Sequence, residues 1–366
     1  MSSPRLAILD DYLAVSKPHF DHIPASAIQI ETFRTHFPQG NDVEVAAFVE
    51  KLKPFSAIST MRERSPFPGH ILRQLPNLKV LLCTGTQFET FDLKTAKELG
   101  ITVAAAPGRG RTDQEQPKKV VAQDIKKGGS HPATHHTWAM ILALARNIAK
   151  DDAVIKAGGW QTDLAMGLTG KTLGIVGLGR LGAAVARIGI LAFGMKVTCW
   201  SSSLDQSKAD KLASELGLPV EDANGEKTFS VVSKDELFKE ADVVSLHYVL
   251  SERSRGIVGR GDLSLMKKDA LIVNTSRGPL VDEVALLEVA QQGQIRGVAL
   301  DVFGSEPLPA DSPWRTESWG EDGRSSVLLT PHMGYVEEGI MNKWYAETAE
   351  NVERWLASEE LLHRLV

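Results

Sequence analysis

Cysteine is nearly absent from this chain: of 366 residues only Cys83 and Cys199 are thiols, each inside an apolar run and neither in a CxxC pair. A disulfide scaffold and a thiolate zinc centre are thereby excluded, and both thiols read as core residues of a reduced compartment. Long apolar runs are also lacking. None approaches the roughly 20 residues that cross a bilayer, and the stretch before Asp10 and Asp11 is too short for a signal peptide, so a cytoplasmic protein without a membrane partner is expected. There is no excess of positive charge either. Lys plus Arg number 41 against 46 for Asp plus Glu, a formal charge of -5, so no basic field is available to hold nucleic acid. Small molecules are the expected partners. With 43% hydrophobic and 24% charged residues, the chain has the composition of a globular protein with room for two domains.

Strand-like runs occur at 5–10 (RLAILD), 55–60 (FSAIST), 78–85 (LKVLLCTG) and 101–107 (ITVAAAP), with helical or loop segments between them. A polar segment without periodicity, 108–132, follows and is long for an internal loop. It reads as a lid, as a polybasic address around Pro117, Lys118 and Lys119, or as a solvated surface insertion, and no chemistry is assigned to it. From 134 to 150, Trp138, Ile141, Leu142, Ala145 and Ile148 fall at helical spacing and predict one long helix. Further strand-like runs stand at 172–177, 195–200, 241–247, 270–274, 295–303 and 326–332, most of them continuously apolar and separated by helical stretches such as 179–193 and 281–292. Such strands belong to a parallel sheet covered on both faces. A last helical stretch, 337–362, offers Met341, Trp344, Val352 and Trp355 to a core.

The segment GLGRLG, Gly177 to Gly182, directly follows a predicted strand and opens an Ala-rich helix. In a nucleotide-binding turn Gly177 permits the bend, Gly179 lets the backbone approach a pyrophosphate, and Gly182 brings the helix against the strand. Arg180 and Leu181 begin the helix, whose free N–H groups suit an anion. A flexible turn or a methyltransferase loop would look similar. Where an NAD enzyme carries an acidic residue at the end of the next strand, this chain has Ser201, followed by Ser202 and Ser203. The choice between NAD(H) and NADP(H) stays open, leaning slightly towards acceptance of NADPH, and an ordinary polar loop is the alternative.

Four motifs in one order, GLGRLG, NTSRG (274–278), DVFGSEP (301–307) and TPHMG (330–334), resemble the D-isomer-specific 2-hydroxyacid dehydrogenases, a family that includes glyoxylate/hydroxypyruvate reductases and phosphoglycerate dehydrogenase. The resemblance covers about 134–350. It implies that Arg277 binds substrate, that Glu306 is the acidic partner of an acid/base His332, that Thr275 and Asp301 lie at the cofactor, with Asp301 meeting the nicotinamide carboxamide, and that the protein is a homodimer. It also implies that backbone amides in the turn 83–87, at Gly85 and Thr86, receive the substrate carboxylate. The chemistry is coherent. An imidazole near neutrality gives or takes a proton, a carboxylate fixes its tautomer, and a guanidinium fork holds a 2-oxoacid.

Plainer readings exist for each residue: Arg277 as an ion-pair partner of Asp282 or Glu283, Glu306 as a loop cap, His332 as a satisfied histidine, and Asp301 as a hydrogen-bonded carboxylate at a strand end. Asp282 and Glu283 suit the start of the following helix. Arg62 or Arg64 could serve a larger acidic substrate or be solvated loop residues. The family's usual Glu-His-Thr is replaced by His135-His136-Thr137. A metal site at His131, His135 and His136 is not expected, since no cysteine or clear carboxylate completes a ligand shell.

The fold expected is α/β: two Rossmann-like domains with doubly wound parallel sheets and a hinge and cleft between them. Residues 1–136 with 334–366 would form a substrate domain, and 137–333 the dinucleotide domain. The function expected is NAD(P)-dependent interconversion of small 2-oxoacids and D-2-hydroxyacids. A nucleotide-sensing corepressor-like module, or a formate or phosphite dehydrogenase, is the alternative.

Overall fold

The computed structural model describes residues 3–113 and 131–366; the lid, address and insertion readings concern 114–130 for the most part and lie outside the described residues. The chain divides into two compact units, Met1–Lys119 with Glu337–Val366, and Val120–Val336. Each is built on a parallel sheet. In the first, β1 (Arg5–Ile8), β2 (Gln29–Thr32), β3 (Ala57–Thr60), β4 (Val80–Thr84) and β5 (Thr102–Ala106) take the order β2-β1-β3-β4-β5. In the second, β6 (Thr172–Val176), β7 (Lys196–Trp200), β8 (Ser230–Val231), β9 (Val243–Leu246), β10 (Leu271–Asn274), β11 (Gly297–Leu300) and β12 (Ser326–Leu329) take the order β12-β11-β10-β9-β6-β7-β8.

Continuous apolar runs form these strands because both faces of the second sheet are covered. Val243, Leu271 and Val273 feed one core with Trp138, Ile141 and Leu144 of the helix Pro132–Ala145. Their neighbours Val244 and Ile272 feed the opposite core with Leu237, Phe238 and Leu286. Side chains alternate across a strand, so one register serves both layers. The two edge strands β2 and β8 were not foreseen: β2 is QIET with no buried residue, and β8 has two residues.

The helix expected over 134–150 is two helices. Pro132–Ala145 ends at Arg146, Asn147 turns left-handed at φ 56°, and Ile148–Lys156 begins afresh. Asn tolerates that conformation better than other residues with a Cβ, and the break turns Ile148 outward, where it is exposed.

The helix Glu338–Leu356 buries Met341, Trp344 and Val352 as its spacing predicts, while Trp355 is only partly covered. It also buries Glu347, Glu350 and Asn351. Gly108 and Gly110 adopt φ of 89° and 87°, curling the backbone into a concave nest of N–H groups. Glu347 accepts those of Gly108 (2.8 Å), Gly110 (2.7 Å) and Arg109, and Glu350 accepts that of Thr112 (2.7 Å). Polar residues are buried here because a loop spends its amides on them. Glu347→Ala strands these donors, at about 1–3 kcal/mol for a buried one and less for those near solvent. We expect a loss of about 2 kcal/mol in the urea transition of this unit, followed by circular dichroism.

Candidate active site

Parallel strands place all their carboxyl ends on one edge, and in the second unit the chain order reverses direction between β6 and β9, where ligands of such sheets bind. The glycine turn sits there. Gly177 has φ 99°, and a Cβ on it would lie 2.7 Å from the carbonyl oxygen of His247. At Gly182 a Cβ would lie 2.2 Å from the carbonyl oxygen of Gly177. The protein itself requires both glycines. Gly179 differs, since its Cβ would meet nothing within 4 Å among the described residues; the space suits something approaching from outside. The helix Arg180–Phe193 starts there without a side-chain cap or an acidic residue in its first turn. Its leading amides at Arg180, Leu181 and Gly182 are thus suited to an anion.

At the end of β7, Ser202 is engaged by Tyr248: its N–H donates to the phenol oxygen at 3.1 Å and its hydroxyl is 2.7 Å away. Tyr248 stacks on Trp200, and Lys234 lies over that indole at 5.5 Å. Lys208 donates to the Ser203 carbonyl at 2.6 Å. Tyr248 and Trp200 escaped the sequence reading because an aromatic residue at a strand end carries no distinctive pattern. His247 beside the turn is half-buried and hydrogen-bonded to Ser245 at 2.8 Å, and desolvation lowers its pKa to about 4. It stays neutral at physiological pH.

Arg277 follows β10. Buried Asn274 fixes the turn by donating to the Arg277 carbonyl (3.0 Å) and accepting from Ser276 N–H (3.0 Å). The next residue must be glycine, since a Cβ on Gly278 would lie 2.0 Å from the Phe303 carbonyl carbon. Arg277 donates to the Ser276 carbonyl at 2.7 Å. Asp282 caps the helix Glu283–Gln291, and Glu283 accepts from Gly304 N–H and the Trp314 indole, each at 3.0 Å. Thr275 meets Thr137 at 2.7 Å.

Two strands across, His332 follows β12 with φ 56°. Its Nδ1 lies 2.5 Å from Glu306 Oε2, and Glu306 Oε1 accepts from Phe303 N–H at 3.0 Å. Tyr335 meets the imidazole edge-on at 5.3 Å. Neighbouring strands lie about 4.8 Å apart, so the ends of β10 and β12 are about 10 Å apart with the β11 loop between them. Side chains from such ends can meet over one small molecule.

Asp301 is fully buried at the end of β11. Its Oδ1 accepts from Thr330 Oγ1 (2.6 Å), Met333 N–H (2.7 Å) and His136 Nε2 (3.0 Å), and its Oδ2 from Gly334 N–H (2.9 Å). Burial pushes this carboxyl up, but the His136 and Thr330 hydrogen bonds, the His136 charge and the Met333 amide outweigh it and hold the group below the usual carboxylate range. The part played by His136 was not visible in sequence, where it stood only as the middle residue of a displaced motif. No group of three or more metal-ligating side chains occurs among the described residues; His131 caps its helix.

In the first unit Gly85, at φ 76°, donates its N–H to the Ala106 carbonyl at 2.8 Å, and the Thr86 N–H donates to the Gln87 side chain at 3.2 Å. The Gly85 amide is therefore committed to the strand end, whereas that of Thr86 is held by an exchangeable side chain. Arg62 pairs with Glu63 at 3.3 Å and lies 6.0 Å from the Trp344 ring; Arg64 lies 5.5 Å from that of Tyr12.

Residues 138–334 match the family described as D-isomer specific 2-hydroxyacid dehydrogenase, NAD binding domain. The D-3-phosphoglycerate dehydrogenase of Methanocaldococcus jannaschii is 33% identical over 87% of this chain and 54% of its own length, so the chain spans about half of that relative. The glyoxylate reductase of Aeropyrum pernix is 32% identical over 77% of this chain and 74% of that protein. A solved phosphoglycerate oxidoreductase from Vibrio cholerae superposes with a TM-score of 0.76 at 32% identity, covering 97% of this chain and 99% of that one.

Two outcomes are expected. Gly182→Val forces the helix off its strand and abolishes fluorescence-detected binding of NADH or NADPH. Asp301 has a depressed folded pKa, so its contribution is complete above its unfolded value and fades as pH falls through the folded one. The gap between wild-type and Asp301→Asn urea midpoints should accordingly shrink towards acid pH.

Proposed function

The chain belongs to the D-isomer-specific 2-hydroxyacid dehydrogenase family, and from that premise we propose that it reduces small 2-oxoacids to D-2-hydroxyacids, and reverses the reaction, with a nicotinamide cofactor. Bound at the glycine turn, the cofactor supplies or accepts the hydride. The observation that carries the reading is the His332–Glu306 pair at 2.5 Å. A carboxylate on Nδ1 fixes the proton there and leaves Nε2 for the substrate oxygen. During reduction His332 donates a proton from Nε2 to the nascent alkoxide, and Glu306 stabilises the imidazolium before that transfer. Arg277 grips the carboxylate of the 2-oxoacid and polarises the neighbouring carbonyl. The second unit acts as the dinucleotide domain and the first as the substrate domain, with Thr86 and Arg62 as its candidate substrate-binding residues.

The end of β7 supports a slight lean towards acceptance of NADPH, with NAD(H) left open. Ser201 stands there in place of a carboxylate that would repel a 2′-phosphate, and the ammonium of Lys208 is held against the same loop.

We propose a homodimer as the working form. The helix Ile148–Lys156 buries none of its residues, and Trp160 and Leu164 beyond it are 75% and 91% exposed. Apolar exposure of this kind marks an association surface. Trp160→Asp should shift the sedimentation coefficient from dimer to monomer.

The test is a panel of 2-oxoacids with NADH and NADPH. General acid catalysis is worth about 10²–10⁴-fold, so His332→Ala should lose activity in that range while retaining cofactor affinity. Arg277→Ala should raise KM and lower kcat/KM by about 10²-fold or more, as loss of a charged pair costs 2–5 kcal/mol. Tight cofactor binding without turnover of any 2-oxoacid would overturn the assignment.

A further inference from the structure

We propose that His136 is a positioning residue for His332, acting through the buried carboxylate of Asp301; the inference rests on the dehydrogenase reading only for its kinetic arm. Three consecutive backbone N–H groups of the β12 loop end on Asp301. His332 N–H donates to the Asp301 carbonyl at 2.8 Å, Met333 N–H to Oδ1 at 2.7 Å, and Gly334 N–H to Oδ2 at 2.9 Å. The middle of this loop is under strain. His332 has φ 56°, a conformation unfavourable for a non-glycine residue that persists only where the surroundings over-determine it. Asp301 is what over-determines it. The imidazole points at Glu306 because the backbone beneath it is tied to the Asp301 side chain and carbonyl, with the Thr330 carbonyl sharing the His332 N–H at 3.1 Å.

That tie depends on the charge of a carboxylate with no solvent exposure. Among the described residues it has four donors, and two neutral amides and the Thr330 hydroxyl are three of them. The fourth, His136 Nε2 at 3.0 Å, is the only one able to carry a full positive charge. The tautomer is fixed by chemistry. An ionised carboxylate only accepts, and Thr330 Oγ1 already gives its proton to Oδ1 at 2.6 Å while also lying 3.0 Å from His136 Nε2. Nε2 must therefore carry hydrogen and share it between the two oxygens. His136 is held for this task by the helix Pro132–Ala145, whose next residue, Thr137, donates to the Ala133 carbonyl at 2.8 Å and so accepts from Thr275 at the end of β10. Successive residues of one helix thus steady the ends of β10, β11 and β12. His135, on the exposed side, has no such role.

Without the fourth donor, burial of Asp301 as an anion is no longer matched. The carboxylate then takes up a proton or admits water, the Met333 and Gly334 N–H groups lose a strong acceptor, and His332 relaxes from its left-handed conformation.

The experiment compares His136→Leu, His136→Gln and wild type in the full chain. Glutamine places an amide N–H near the position of Nε2 and should rescue. Displacement of a catalytic group by about 1 Å can cost about 10²-fold, so His136→Leu should lose about that factor in kcat, with KM changed by less than about 3-fold and the cofactor affinity retained. His136→Gln should recover to within about 5-fold of wild type, because a neutral donor replaces a chargeable one. A second readout needs no turnover. In histidine-labelled protein, long-range proton–nitrogen spectra should show His332 as a single Nδ1–H species in wild type and in His136→Gln, and as an exchanging mixture in His136→Leu. If His136→Leu leaves both kcat and the His332 spectrum unchanged, the proposal fails. If KM rises instead while the spectrum holds, His136 acts on substrate and the positioning role is equally overturned. Absence of turnover in wild type would refute the dehydrogenase reading while leaving the spectral test of His136 intact.

Discussion

Each unit of this protein contains a carboxylate removed from water and answered by the backbone of a loop, and the placement of both loops depends on that exchange. Asp301 takes the amides of Met333 and Gly334; Glu347 takes those of Gly108, Arg109 and Gly110. Burying an unmatched carboxylate costs several kcal/mol, so each loop is confined to geometries that deliver its donors. The partners decide the balance. Glu347 is served mainly by neutral amides, and burial leaves its carboxyl above the ordinary value. Asp301, with a histidine and a hydroxyl added, lies below its own. The same side-chain chemistry therefore anchors a surface loop at one place and, at the other, a loop that bears the imidazole.

The parallel sheets were legible because continuous apolar runs such as 270–274 have one simple explanation, burial on both faces. Elements whose existence depends on neighbours were not. β2 is a half-polar edge strand, and β8 is too short to imprint any pattern. The helix break at Asn147 was hidden because Ile148 continues the apolar spacing, although the residue is exposed. The buried face of Glu338–Leu356 misleads in the opposite direction: Glu347 and Glu350 read as solvent-facing until the loop 108–112 is seen to donate to them.

At the candidate site, sequence motifs carried the residues that a reaction needs but few of those that hold them. Arg277, Glu306 and His332 stand at the ends of strands or in the loops that follow, where pattern and chemistry coincide. Their supports are Asn274, Asp301 and His136, ordinary polar residues whose significance is the geometry of distant chain segments. The interaction between His136 and Asp301 spans 165 positions, and no local period encodes it. Gly85 shows the converse. Its motif suggested a free amide for an acid, but the strand beside it uses that hydrogen.

The glycine turn separates what folding requires from what a ligand requires. A methyl group on Gly177 or Gly182 would strike backbone atoms at 2.7 Å or 2.2 Å, so those glycines would be needed even in a protein that bound nothing. Gly179 has no such neighbour, adopts φ −90°, and begins a helix without a side-chain cap. A methyl group there would meet no atom of the described residues within 4 Å, and its backbone suits any residue, so stability alone gives no reason to exclude one. The space is meaningful only if a group comes within van der Waals distance of the backbone, and the uncapped amides beside it make an anion the group that gains most. Among the three glycines of the motif, the one that packing does not explain is therefore the strongest structural argument for a bound pyrophosphate.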